Sequence, residues 1–277
     1  MPVEQVRIAG AVMDVAVPDR VCAGVSMAGF RGRTTDTVEL QVVPYPACTI
    51  FVDLGDALLT DDSNGARRRG SVVVGLASGP VHGTGHDIDV LQVRLSPALA
   101  HAVLGPGTDT SGAIVSLDEL WGRDATHLHE QLRAAASWEE RFAIVHRALG
   151  RRCAAGRPVE REIAFAWSRM ADTGGQLRIE QLADELGWSR QRLWSRFRSQ
   201  VGITPKHAAR LIRFDHAAHR LAAGHSAAAV AADSGFVDQS HLHHDAMAFT
   251  GMTTSGVADA QWLVVDPIAW PTRMAKI

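Results

Sequence analysis

Ile179-Glu-Gln-Leu-Ala-Asp-Glu-Leu-Gly-Trp-Ser-Arg-Gln-Arg-Leu-Trp-Ser-Arg-Phe-Arg198 and Ala227-Ala-Ala-Val-Ala-Ala-Asp-Ser-Gly-Phe-Val-Asp-Gln-Ser-His-Leu-His-His244 are two copies of one small pattern. Each is a short apolar helix, a glycine-centred turn, and a second helix that opens on polar residues. Apolar residues four or five positions before Gly187 and Gly235 bury the first helix of each copy. The glycine permits a left-handed turn, and Ser189 or Asp238 is placed to cap the helix that follows. The pattern predicts a helix-turn-helix, and it occurs twice.

Working outward, the copies are joined by one long helix from Pro205 to Ala223, with Leu211, Phe214, Ala218 and Leu221 as its buried stripe. A helix of about 18 residues spans roughly 27 Å. That is in the range needed to set two readers about one DNA turn, ~34 Å, apart on one face of a duplex. A further amphipathic helix, Val159–Ala171, turns Ile163, Ala166, Trp167 and Met170 inward and stops at Thr173-Gly-Gly175. Everything beyond Pro158 reads as helix. Residues 159–260 are the expected DNA-binding domain, and 261–277 a tail whose Trp262, Leu263, Val264, Val265, Ile268 and Trp270 predict docking on one of the domains.

Upstream, the segment 151–158 mixes Arg, Gly and Pro without apolar periodicity and reads as the linker. Residues 1–150 form the other domain. Up to about residue 95 it is rich in Val, Gly, Pro and Thr, with candidate strands at 10–17, 21–30, 37–43, 48–54, 72–79 and 88–95. That spacing suits a small sandwich or open barrel. Residues 61–70 read as a polar hairpin tip, with Arg67, Arg68 and Arg69 solvated. Trailing helices follow at 96–105, 117–122, 125–135 and 138–149, the last opened by Ser137 and Glu140 at capping-box spacing. The fold class expected is α+β in two domains.

At 277 residues and a net charge of −2, the chain is long enough for two cores and too neutral to coat a polyanion. Any nucleic-acid contact must come from a local concentration of arginine. Three separated cysteines, no long apolar run and no basic-then-apolar N-terminus lead us to expect a soluble, cytoplasmic protein away from membranes, with no cofactor. No Gly-x-Ser-x-Gly, phosphate loop or HExxH motif occurs, so an enzyme is not expected.

The second half resembles the AraC/XylS family of transcriptional regulators. The residues that carry the match are Leu182-Ala183, Gly187, Ser189, Leu193, Phe197, Gly202-Ile-Thr-Pro205, Arg213, Ala217, the run Gly235-Phe-Val-Asp-Gln-Ser-His-Leu242, and Gly251-Met-Thr253. The resemblance implies a seven-helix domain with two recognition helices in successive major grooves of promoter or operator DNA. It implies a cupin-like N-terminal domain that senses a small effector or forms a homodimer. It also implies RNA polymerase as a partner where members activate.

On the first recognition helix, the family register turns Arg190, Gln191, Trp194, Ser195 and Arg198 to the groove or its walls, with Arg192 and Arg196 beside them. Arginine grips phosphates or pairs with guanine, and glutamine with adenine. On the second, Gln239, Ser240, His243 and His244 are the candidate readers, yet no Lys or Arg occurs from Asp238 to Gly251. Relatives carry Arg at the position of His244, an aromatic near Ala246 and Pro at Thr254. The first unit is therefore expected to supply most of the affinity. An interaction module that has lost DNA binding is the alternative. Two histidine groups, His241 with His243, His244 and Asp245, and His82 with His86 and His101, can be read as metal sites, and packing or exposure is the preferred reading of both. The inner face of the β-domain, read as Val and Leu, suits a small apolar or weakly polar effector.

Overall fold

The computed structural model describes residues 3–19, 22–42, 44–76, 79–105 and 114–270. Its N-terminal half is an antiparallel sheet of β1 (Val3–Ile8), β2 (Ala11–Ala16), β3 (Val25–Val42), β4 (Cys48–Asp53), β5 (Leu58–Asp61), β6 (Ala66–Arg69), β7 (Val72–Val74), β8 (Val81–Leu95) and β9 (Ile114–Ser116). The order is β1-β2-β3-β8-β4-β7-β9. Strand β8 divides the sheet. One edge pairs with β3 along its length; the other takes β5 at Val81–Thr84 and β4 at Val90–Leu95. The sheet curls as a result, and residues of β2, β3, β4, β5 and β8 line one cavity.

Two expectations for this half change. The strands expected at 21–30 and 37–43 are a single strand, β3, whose register shifts between Arg33 and Val38. The polar run from Arg31 to Asp36 hides the continuity because it pairs with Asp87 and Asp89 on β8 through side chains. The strand expected from residue 88 begins at Val81, and β1 is a strand that the sequence pattern does not predict. The hairpin tip at 61–70 is the β5–β6 turn.

Side-chain alternation sorts β8 into two faces. Leu91, Val93 and Leu95 join the large core under the helices, while Val90, Gln92 and Arg94 point into the curled sheet. Helices α1 (Pro97–Leu104), α2 (Leu117–Trp121), α3 (Arg123–Ala134) and α4 (Trp138–Ala155) cover the outer face. Trp138 lies flat on β3 because Gly29 is bare; a Cβ there would sit 2.3 Å from the indole. Helix α4 does not stop near Leu149. It continues through Gly150 to Ala155, held by Arg152, which donates to the Val103 carbonyl at 3.2 Å and reaches Asp124.

The remaining helices are α5 (Arg161–Asp172), α6 (Ile179–Glu185), α7 (Arg190–Val201), α8 (Pro205–Ala222), α9 (Ala227–Asp233), α10 (Gln239–Thr250), α11 (Thr254–Ala258) and α12 (Gln261–Ala269). Helices α5–α11 are the seven expected for the C-terminal domain. Polar contacts help dock this domain on the sheet half: the His101 ring bonds the Gln200 carbonyl, the His207 ring bonds that of Leu76, and the Gln41 side-chain amide donates to that of Thr250 at 3.1 Å.

Helix α12 returns to the sheet. Val265, Ala269 and Trp270 pack with Ile8, Met13 and Phe30, and the Gln261 side-chain Oε1 accepts from the Ala9 backbone N–H. The expected docking of the tail is seen up to Trp270; residues 271–277 lie outside the described residues. No helix among the described residues is long and apolar enough to cross a membrane.

Candidate nucleic-acid interface

Both helix-turn-helix units are built by local rules. Gly187 and Gly235 hold φ of +64° and +75°, which a side chain would strain. The Ser189 hydroxyl accepts from the Arg192 amide at 3.2 Å, and the Asp238 carboxylate from the His241 amide at 2.8 Å. Each caps a twelve-residue helix, α7 or α10, that ends on a glycine, Gly202 or Gly251. Superposing the caps aligns every residue of α7 with the residue 49 positions later in α10.

That alignment matches the buried faces. Leu193 and Phe197 in α7, like Leu242 and Ala246 in α10, are fully buried, each large side chain contributing roughly 1.5–3 kcal/mol. The exposed rows match too. Gln191, Trp194, Ser195 and Arg198 lie on one face of α7 at i, i+3, i+4 and i+7, and Ser240, His243, His244 and Met247 occupy the same places on α10. All eight are exposed. Met247, the counterpart of Arg198, gives no signal in the sequence because an isolated methionine carries no polar group.

The flanking arginines of α7 differ among themselves. Arg190 reaches Glu180 of α6 at 3.4 Å, with both side chains largely in water. The Glu180 carboxyl lies below its ordinary range, held there first by its own backbone N–H and then by Arg190. Such an exposed pair exchanges readily. Arg192 stacks 4.4 Å over Trp188, and Arg198 5.2 Å over Trp194. Trp188 thus orients a cation for which the sequence alone offers no support. Arg196 turns away from this row and pairs with Glu160 at the start of α5.

Helix α10 carries the opposite charge at the place of Arg196. Asp245 is buried and faces α8, where Arg210 meets it at 2.6 Å and Arg213 at 3.7 Å. Burial pulls the Arg213 guanidinium below its ordinary value against the Asp245 charge. Those cations hold α10 in place. His241 packs edge-on against Phe236, so it and Asp245 are both engaged away from His243 and His244. In the other histidine group, His82 pairs with Asp62 at 2.6 Å, His86 with Thr37 at 3.0 Å, and His101 with Gln200. The three are not brought together.

The chain matches the family model of a helix-turn-helix domain over residues 182–259. No curated protein matches it by sequence. Among solved structures, an apo-form variant of ToxT from Vibrio cholerae strain SCE256 aligns over 87% of this chain and 98% of its own, at 15% identity and a TM-score of 0.50. ToxT from Vibrio cholerae O395 aligns over the same shares at 15% identity, with a TM-score of 0.49. The AraC-like transcriptional activator CuxR aligns over 67% of this chain and 79% of its own, at 17% identity and a TM-score of 0.34. Likeness at these identities is one of fold: a β-rich N-terminal domain followed by the helical one. The family match identifies residues 182–259, the region of α6 to α11, as a helix-turn-helix domain.

Proposed function

We propose that the chain is a cytoplasmic, sequence-specific DNA-binding regulator of transcription in which α7 anchors in a major groove and α10 adds weaker readout. One observation carries this reading. The exposed row Gln191–Trp194–Ser195–Arg198, flanked by Arg190 and Arg192, offers cations and amide groups on a solvent-facing side of α7. The equivalent row on α10 offers a hydroxyl, two imidazoles and a thioether. In this reading Gln191 and Arg198 approach base edges, while Arg190 and Arg192 hold phosphates. Gln239, Ser240, His243 and His244 set register. The cavity inside the curled sheet is the seat of a small effector.

The uncharged row of α10 also favours a second reading, a protein-interaction module that no longer binds DNA. Selection of duplexes from a random library, followed by footprinting, separates the two. The regulator reading expects a selected site with two protected segments one helical turn apart. Arg198→Ala should cost about 1–3 kcal/mol of binding, and His244→Ala less than about 0.5 kcal/mol. Failure to select any duplex at low salt would favour the interaction module. A larger loss with His244→Ala than with Arg198→Ala would reverse the ranking of the two helices.

A further inference from the structure

Between Arg141 and Arg161 the chain carries six arginines and one acid, Glu160, although its net charge is −2. Two of the six are engaged inside the fold: Arg141 pairs with Asp89 at 2.6 Å, and Arg152 with Asp124 at 3.2 Å. Arg147, Arg151, Arg157 and Arg161 are exposed, and no carboxylate among the described residues holds any of them. Arg147 and Arg151 stand four residues apart on the outer face of α4. The other residues of that face, Ala143, Gly150 and Ala154, are small and carry no charge.

The segment is packed and fastened to the first recognition helix. Helix α4 runs unbroken to Ala155, and Gly156 is pressed on α1, where a Cβ would lie 2.1 Å from the Ala102 carbonyl oxygen. Glu160 then meets α7 twice. Its backbone N–H donates to Oε1 of Gln200 at 2.7 Å, and its carboxylate accepts from Nε of Arg196 at 3.2 Å. His101 of α1 bonds the carbonyl of the same Gln200. Arg157 and Arg161 therefore sit within three residues of an anchor on the flank of α7, and α4 continues the line of cations. A helix in a major groove about 12 Å wide has the sugar-phosphate strands on both flanks.

We propose that Arg147, Arg151, Arg157 and Arg161 form a rail that grips the DNA backbone beside α7, so that the N-terminal domain itself helps to hold the duplex. The inference rests on the reading of α7 as the anchor in a major groove, and it deepens that reading. Two features set the occupant: cations without counter-charges suit phosphates, and the rail is continuous with α7 through Glu160. Such contacts add affinity and position without reading sequence. From Arg147 to Ala155 the helix rises roughly 12 Å. With the linker, the rail reaches along about half of a ~34 Å helical turn. Helix α10 carries no Lys or Arg, so the contact with DNA extends on the α7 side.

The test is hydroxyl-radical footprinting and fluorescence anisotropy of the full chain on a duplex that it selects from a random library. Wild type should protect about five further nucleotides of backbone beyond the α7 segment. Arg147→Gln, Arg151→Gln and Arg157→Gln together should remove that extra protection and keep the two groove segments. The same variant should bind roughly tenfold or more weakly and lower the slope of log K against log salt by about two to three. Arg67→Gln, Arg68→Gln and Arg69→Gln together remove the same charge from exposed positions on β6, and should change affinity by less than about threefold. All six side chains are exposed, and melting curves check that both variants fold. If the first variant keeps the wild-type footprint and affinity, the rail is wrong while the regulator reading stands. Equal losses in the two variants would reduce the effect to net charge and overturn the rail. If wild type selects no duplex at low salt, the rail and the regulator reading fall together.

Discussion

Helices α7 and α10 are equal in length, capped at both ends by the same devices, and buried through equivalent positions. Their outer rows share a geometry and differ in chemistry, Gln191–Trp194–Ser195–Arg198 against Ser240–His243–His244–Met247. Inner rows are fixed by packing, so both units keep them. Outer rows are exposed and free of that constraint, and their chemistry differs. The sharpest contrast is at the edge between the rows. Arg196 faces out toward Glu160 across a half-exposed pair, while its counterpart Asp245 faces inward to Arg210 and Arg213. One unit keeps its charges for the surface; the other uses its charge to fasten itself to α8.

That contrast is most easily broken by stability measurements. Asp245→Ala should lower unfolding free energy by about 3 kcal/mol, because it leaves Arg213 buried without its counter-charge. Arg196→Ala should cost less than about 1 kcal/mol, as exposed pairs do. Chemical denaturation of both variants measures the difference, and equal costs would dissolve the distinction between a fastening charge and a surface charge.

Acid should sharpen the comparison at the two docking points. Burial holds His101, which bonds Gln200 at the end of α7, and His207, at the start of α8 beside α10, below the ordinary imidazole value. Arg210 lowers His207 further, and Asp245 opposes it. For a depressed histidine the docked form is neutral. Its stabilisation is present above the unfolded value of about 6.5 and is lost as pH falls through the lower folded value. Hydrogen exchange at about pH 5 against about pH 7.5 should show loss of protection around Leu76 and Thr250, the side held by the more buried ring, before the α1–α7 contact. Loss in the reverse order would contradict this.

A small gain should come from restoring charge to α10. His244→Arg adds a cation to the exposed row without touching a buried side chain, and should tighten DNA binding by about 1 kcal/mol at low salt, read by fluorescence anisotropy. No gain would mean that α10 does not approach the phosphates.

Much of this comparison is legible in the sequence because its signals are local. Caps, turn glycines and the i, i+4 burial of Leu193 and Phe197 lie within a dozen residues of each other, and the seven helices follow from them. What depends on distant pairing is not legible. The continuity of β3 is set by β8 some 50 residues away, and the polar run that masks it is neutralised only by that partner. Likewise Arg94 reads as a surface residue until Asp266, 172 residues on, is brought against it. The inner face of the sheet, expected to be Val and Leu, also carries Gln92 and a buried arginine. The sequence does not show what Asp245, beside His243 and His244, is engaged with; Arg210 and Arg213 of α8 are placed against it only by the fold.

The central claim is that α7 holds DNA and α10 steers it, and the slope of log K against log salt tests it most directly. Replacing Arg190, Arg192 and Arg198 together by Gln should reduce that slope by about one for each phosphate no longer neutralised, roughly two to three in all. Replacing Gln239, His243 and His244 by Ala should change it by less than about one. An unchanged slope in the first variant, or a larger change in the second, would contradict the account.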